Sequence, residues 1–224
     1  MVKPWTAFPI KGVIWYQGEA NVGRSEQYGD LFPALITDWR RQWRSDFPFY
    51  FVQLANFMES KKIQPDSEWA ALREAQTKAL KLDQVGMAVT IDIGLADDIH
   101  PKNKQEVGRR LALVALAGSY GKNVSSSAPV FQNYIIKGNK MELDFGQKQD
   151  GFQIKGTTLK GFTIAGPDRV FYPAEAMVHD GKIILSSTEV PAPLAARYGW
   201  ADNPDCNLYG ENGLPVAPFR TDCW

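Results

Sequence analysis

Apolar residues follow two different rhythms along this chain, and the change comes near residue 125. Ahead of it, short apolar runs alternate with longer stretches in which apolar residues return every three or four positions. Residues 12–17 (Gly-Val-Ile-Trp-Tyr-Gln) are a run of the first kind and end at Gly18, which predicts a buried strand. Tyr28, Leu31, Phe32, Leu35, Ile36, Trp39 and Trp43 then form one stripe of a helix over 26–44. Ser25 is placed to cap that helix, and Pro33 to kink it or shift its start. Residues 49–54 (Phe-Tyr-Phe-Val-Gln-Leu) predict a second buried strand. Ser67 precedes a helix carrying Trp69, Leu72, Gln76 and Leu80 and supplies its N-cap. Residues 85–91 predict a third strand, and 103–117 a third helix with Val107, Leu111 and Val114 turned inward. Strands separated by amphipathic helices pair in parallel through right-handed crossovers. Such sheets carry their functional groups in the loops at the carboxyl ends of the strands. Three strands are few beside the usual five or six or so, so residues 1–124 read as part of an α/β domain.

Residues 125–129 read as a linker, and after them the pattern turns to short β-like runs. These are 134–137, 140–145, Phe152–Ile154, Phe162–Ala165, Lys182–Ser186 and 195–199. Gly138-Asn139 and Asp180-Gly181 are two-residue hairpin signals. The Pro-, Asn- and Gly-rich stretch 201–224 predicts irregular structure, so residues 125–224 read as a smaller β-rich region.

Composition narrows the field. Across 224 residues, 44% hydrophobic content supports a real core, and 25 basic against 25 acidic residues leave no net charge to attract nucleic acid or an anionic membrane. No apolar run approaches the roughly 20 residues of a spanning helix, and residues 1–10 lack the apolar core of a signal peptide. Seven Trp make the chain aromatic-rich, a feature of packed cores and of sugar-stacking surfaces alike. Cys206 and Cys223 are compatible with one disulfide or with two thiols, and neither lies near a histidine in a metal-site spacing.

There are two histidines, so the search for a general base is short. His179 precedes the Asp180-Gly181 turn and reads as solvated. His100 lies in Gly94-Leu95-Ala96-Asp97-Asp98-Ile99-His100-Pro101, directly after the third strand, where sites form in this fold class. Asp97, three residues earlier, is placed to hold the imidazole in one tautomer and to stabilise its charged form; Asp98 competes for that role. Trp15-Tyr16-Gln17-Gly18-Glu19-Ala20-Asn21 ends the first strand. Gln17 and Asn21 can donate N–H groups to an oxyanion, whereas Glu19 can only orient neighbours or bind a cation. Ala117-Gly118-Ser119-Tyr120-Gly121 fails as a nucleophile elbow, because it opens with Ala and ends a helix instead of following a strand; its glycines read as helix C-caps.

Several segments together resemble the sialate O-acetylesterase family: Ile-Lys-Gly-Val-Ile-Trp-Tyr-Gln-Gly-Glu-Ala-Asn at 10–21, Trp-Ala-Ala-Leu-Arg-Glu-Ala-Gln at 69–76, and Asp-Ile-His-Pro-Lys-Asn-Lys-Gln-Glu-Val-Gly-Arg-Arg-Leu-Ala at 98–112. Arg-Tyr-Gly-Trp-Ala-Asp-Asn-Pro at 197–204, Cys-Asn-Leu-Tyr at 206–209 and Pro-Phe-Arg-Thr-Asp at 218–222 extend the match. The resemblance implies an SGNH hydrolase with flavodoxin-like α/β/α layers, followed by the β-rich region. It implies hydrolysis of O-acetyl esters on sialic acids or related glycans by a Ser-His-Asp triad, without a cofactor or a metal. The family's Asp-x-x-His motif falls on Asp97 and His100, and its tryptophan motif on Gln17, Gly18, Glu19 and Asn21. Its nucleophilic serine lies in a Gly-Gln-Ser-Asn-like segment ahead of the tryptophan motif. Nothing before Gly12 matches that segment, and Ser25, Ser45, Ser60 and Ser67 stand in other contexts. The expectation is an N-terminally truncated, inactive piece whose missing segment is a partner, from a parent that is periplasmic or secreted. Two rival expectations are an acetyl xylan esterase and a non-catalytic glycan-binding module using Trp200 and Tyr198 as exposed stacking platforms.

Overall fold

The first three predicted strands form one parallel sheet in the computed structural model, which describes residues 2–146 and 151–224. β1 (Val13–Trp15), β2 (Phe49–Val52) and β3 (Val85–Ala88) lie in that order, with Val13 opposite Phe49 and Phe49 opposite Val85. The central strand is buried on both faces. Phe49 and Phe51 point toward α1 (Ser25–Trp43) and α2 (Glu68–Thr77), packing with Phe32, Ile36 and Leu72. Tyr50 and Val52 point the other way, toward Val107, Leu111 and Val114 of α3 (Lys104–Gly118). Period-two alternation on β2 meets a three-to-four-residue period on the helices, and this gives helix, sheet and helix layers.

The helix ends depart from the sequence reading in two places. Ser25 opens α1 as its first helical residue, with Arg24 in the capping position and no side-chain cap. Pro33 is accommodated inside the helix, not at its start. α2 stops at Thr77 and continues as a tighter turn over Lys78–Lys81, which leaves Leu80 exposed. Ser67 caps α2 as expected, its Oγ accepting from Ala70 N at 3.0 Å, and Asn103 caps α3, its Oδ1 accepting from Glu106 N at 3.1 Å.

The second region consists of small antiparallel sheets. β4 (Asn133–Lys137), β5 (Lys140–Asp144), β6 (Phe152–Ile154), β7 (Phe162–Ala165), β8 (Phe171–Pro173), β9 (Glu175–His179) and β10 (Lys182–Ser186) are followed by β11 (Ala195–Tyr198), β12 (Leu208–Gly210) and β13 (Phe219–Arg220). They pair as β4-β5-β10-β9, as β13-β11-β7-β8 and as β12-β6. Both predicted hairpins form. Asp180 and Gly181 take φ of 49° and 72°, the left-handed pair that a two-residue turn between twisted strands requires. Residues 201–224 are not irregular: β12 and β13 run through them, and Leu208, Tyr209, Leu214 and Val216 are buried.

This last segment returns to the first region and is caught by Arg73. The side chain is fully buried on α2 and donates to Leu54 O (2.8 Å), Ala55 O (2.9 Å), Ala201 O (2.8 Å) and Asp202 O (2.8 Å). Burial pulls its pKa down to about 10, which is still high enough to keep the charge at neutral pH. Around it, Ser67 Oγ donates to Asp202 Oδ1 at 2.6 Å, Asn56 Nδ2 donates to Asn203 Oδ1 at 2.7 Å, and Arg220 pairs with Glu74 at 2.9 Å. Among the described residues no helix is long and apolar enough to cross a membrane.

Removing the Arg73 head group leaves the buried Leu54 and Ala201 carbonyls without donors and takes one of two donors from Ala55 O and Asp202 O, which keep Trp69 Nε1 and Phe57 N. Arg73→Met is expected to lower unfolding free energy by about 3–5 kcal/mol. Arg73→Lys should recover little, since one ammonium cannot span four acceptors. Urea denaturation measures both, and a loss under about 1 kcal/mol for Arg73→Met would overturn this role.

Candidate active site

Two loops leave the carboxyl ends of β1 and β3 and face each other. The first begins Tyr16-Gln17-Gly18 and closes in a short turn over Glu19–Asn21. Gly18 has φ 156° and is buried; a Cβ there would lie 3.1 Å from Gln76 Nε2 and 3.2 Å from Leu54 Cδ2. Only glycine allows the chain to turn this close to α2. Gln76 Nε2 donates to Gln17 O at 3.2 Å, and the Tyr28 hydroxyl donates to Gln17 Oε1 at 3.2 Å. Gln17 Nε2 donates one hydrogen to Asn21 Oδ1 at 2.7 Å. That leaves the second N–H of Gln17 and both N–H groups of Asn21 for other partners.

The second loop, residues 89–101, is held at its base by Asp92. Arg110 Nη1 and Nη2 donate to its two carboxylate oxygens at 2.6 and 2.9 Å, and Tyr209 Oη donates to Oδ2 at 3.1 Å. Burial and the Asp92 charge together push the Tyr209 phenol well above its usual range. Midway, Gly94 N donates to Asn56 Oδ1 at 2.6 Å, and Phe57 bridges Leu95. A Cβ on Gly94 would fall 1.8 Å from Asn56 O, so no other residue fits this crossing. The loop therefore leaves its anchor in one direction and delivers His100 at its end.

His100 Nδ1 lies 3.6 Å from Asp98 Oδ1, and His100 N donates to the same oxygen at 2.9 Å. The carboxylate beside the imidazole is thus Asp98. Asp97 is exposed and makes no hydrogen bond or ion pair among the described residues. The ring itself is open, with its side chain 86% exposed. It shares a shallow cavity of about 350 Å³ with Tyr16, Gln17, Glu19, Ile99 and Lys104. His100, Gln17 and Glu19 are therefore brought together. Gly18 shapes the turn from below, and Asn21 reaches the cavity only through Gln17.

Tyr16 and Lys104 are additions that sequence reasoning missed. The Lys104 ammonium sits 5.0 Å from the centre of the Tyr16 ring. The Tyr16 hydroxyl is buried without a partner, and burial, then the Glu19 charge, raises its pKa to about 12. It stays protonated as a donor. Its signal was its place directly before Gln17, hidden by its reading as a strand residue.

The remaining candidates are structural. His179 is exposed at the end of β9 beside Asp180. Ser119 follows α3 and hydrogen-bonds Tyr50 at 2.7 Å. Cys206 and Cys223 are separate thiols, and burial raises the Cys206 thiol to about 12. The stacking-platform expectation for Tyr198 fails, because the ring is 1% exposed and packs on Phe162. Trp200 is half-buried, its Nε1 donating to Pro65 O at 3.1 Å.

A parallel sheet that presents a histidine beside a carboxylate at its carboxyl rim, opposite a turn carrying amide donors, is the frame of a hydrolase. The family model for carbohydrate esterase, sialic acid-specific acetylesterase matches residues 2–117. The chain belongs to this sialic acid-specific acetylesterase family. It is 31% identical to a mouse and 32% identical to a Sumatran orangutan (Pongo abelii) sialate O-acetylesterase, in each case over 98% of its own length. It spans about half the length of these curated relatives, 46% and 47% respectively. A crystal structure of a carbohydrate acetylesterase from Xanthomonas citri superposes with a TM-score of 0.94 at 46% identity, covering 99% of this chain and 52% of that one.

The Arg110 anchor has a pH signature through Glu106. The hydrogen bond from Arg109, then that from Arg110, brings the Glu106 carboxyl from 4.5 down to about 2. A carboxyl depressed in the folded state contributes stability above its unfolded pKa and loses it as pH falls through the folded value. Stability is expected to fall between pH 4.5 and about 2, and Glu106→Gln should make that fall shallower. Urea midpoints across this range test it, and identical slopes for the two proteins would rule it out.

Proposed function

We propose that this chain forms the histidine-bearing part of an SGNH-class, serine-dependent O-acetylesterase acting on sialic acids or related acetylated glycans. The observation that carries the reading is the cavity shared by His100 and the Gln17 turn. In the complete site, His100 takes the proton of a serine hydroxyl as its oxygen attacks the acetyl carbonyl. Collapse of the tetrahedral adduct breaks the ester bond, and His100 returns the proton to the departing sugar oxygen. Water then releases acetate by the same exchange. Asp98 steers the imidazole and balances its transient charge. The free N–H of Gln17, on the wall of the same cavity, is the donor in this reading for the oxyanion that develops there. One such donor contributes about 3 kcal/mol.

The nucleophile comes, in this reading, from polypeptide outside the 224 residues. No Ser, Thr or Cys lines the cavity among the described residues. Among the described residues β1 has a hydrogen-bonded neighbour on one side only, and its Ile14 is 69% exposed. A further parallel strand at that edge would end at the same rim and could bring a serine to His100. The complete protein, read this way, works in the periplasm or outside the cell.

Hydrolysis of p-nitrophenyl acetate tests the proposal. The isolated chain is expected to show no turnover. In the complete enzyme His100→Ala should lower kcat by about 1,000-fold, within the range for general acid–base groups. Asp98→Asn should lower it more than Asp97→Asn. Full activity in His100→Ala would remove the base, and turnover by the isolated chain would place a nucleophile within it.

A further inference from the structure

A second cavity, of about 480 Å³, lies where the loop after β2 meets β7 and the turn after β11. It shares no residue with the cavity of His100. Its volume falls within the usual range for small-ligand sites, roughly 300–1,000 Å³. Lys61, Lys62, Lys160 and Arg197 line it, against a single lining acid, Asp205. Asp205 is taken by Lys160 at 2.8 Å, and Arg197 is taken by Asp222 behind it at 2.7 Å. Lys61 and Lys62 are exposed and enter no ion pair among the described residues, so the mouth carries uncompensated positive charge.

The walls combine aromatic and aliphatic side chains with fixed polar groups. The Arg197 guanidinium lies 3.9 Å from the Phe171 ring centre and donates to Pro65 O at 2.8 Å. Trp200 is held at the same carbonyl through Nε1, with Arg197 and Arg220 at 5.0 and 4.7 Å from its ring centre. A free inorganic anion uses charge and ignores such walls. A sugar ring uses both, laying its C–H face on apolar surface while a carboxylate meets the ammonium groups. We propose that this cavity binds a carboxylated pyranose unit, with Lys61 and Lys62 holding the carboxylate. The binding stands on these residues alone. Its role, holding an acidic unit of the glycan whose acetyl group reaches His100, rests on the esterase reading, since the loops after β2 and β3 are joined by the Phe57–Leu95 bridge.

Amide-resolved NMR titration of the full chain with D-glucuronate tests it, because this probe carries no acetyl ester and D-glucose differs from it only in lacking the carboxylate. Glucuronate should shift resonances of residues 60–65 and 197–205 saturably, and glucose should bind more weakly. The Lys61→Ala/Lys62→Ala double variant, altered at two exposed positions, should bind about tenfold more weakly, and added salt should weaken binding. Acetate and inorganic phosphate should leave these resonances in place. Absence of a saturable shift, wild-type affinity in the double variant, or equal shifts with acetate or phosphate would each overturn the proposal. His100→Ala should bind glucuronate as the unaltered chain does. A failed esterase assay therefore leaves this site standing, and loss of binding in His100→Ala would remove it.

Discussion

One buried guanidinium organises this structure. A positive charge taken out of water must recover its hydrogen bonds inside the protein, and Arg73 does so through four main-chain carbonyls from two distant stretches. Two carbonyls belong to the segment leaving β2 and two to the segment leaving β11. Satisfying the charge therefore fixes where those segments cross. The Asn56–Asn203 and Ser67–Asp202 contacts follow from that crossing, and Asn56 in turn holds Gly94. Arg73, which lines neither cavity, thus sets the course of the loop that ends in His100.

The rim obeys a division of labour common in parallel sheets. Buried strands supply rigidity, and loops supply chemistry. The Asp92–Arg110–Tyr209 cluster and the Gly94 crossing hold the base and middle of the histidine loop, while its tip stays open to solvent. Opposite it, the Gln17 turn is tied down by Tyr28 and Gln76. Both sides are preorganised, and among the described residues no Ser, Thr or Cys lines the space between them.

Much of the first region was legible because burial was two-sided and periodic. Phe49 to Val52 could be nothing but a central strand, and the α1 stripe could face only one way. The Asp180-Gly181 hairpin was legible because so few dipeptides tolerate two positive φ values. Strands β8, β9, β12 and β13 were not, since they owe their form to partners elsewhere in the sheets. Arg73 looked like an ordinary helical charge, because its acceptors at 201 and 202 lie up to 129 residues away. In the site, having only two histidines pointed to His100 at once. Spacing could not choose between Asp97 and Asp98, and in the structure it is Asp98 Oδ1 that lies 3.6 Å from His100 Nδ1. Tyr198 looked like a surface aromatic until the returning segment covered it.

The outer edge of β1 has a consequence for handling the chain. A row of unpaired main-chain donors and acceptors beside an exposed isoleucine is a template on which any extended peptide can align, including another copy of the same strand. Natural sheets blunt such margins with charge, proline, a bulge or brevity, and Val13–Trp15, three residues long, has only the last of these. In the chain purified by itself that margin is where a second copy would align. Its colloidal behaviour should depend on concentration far more than its neutral, well-packed interior suggests.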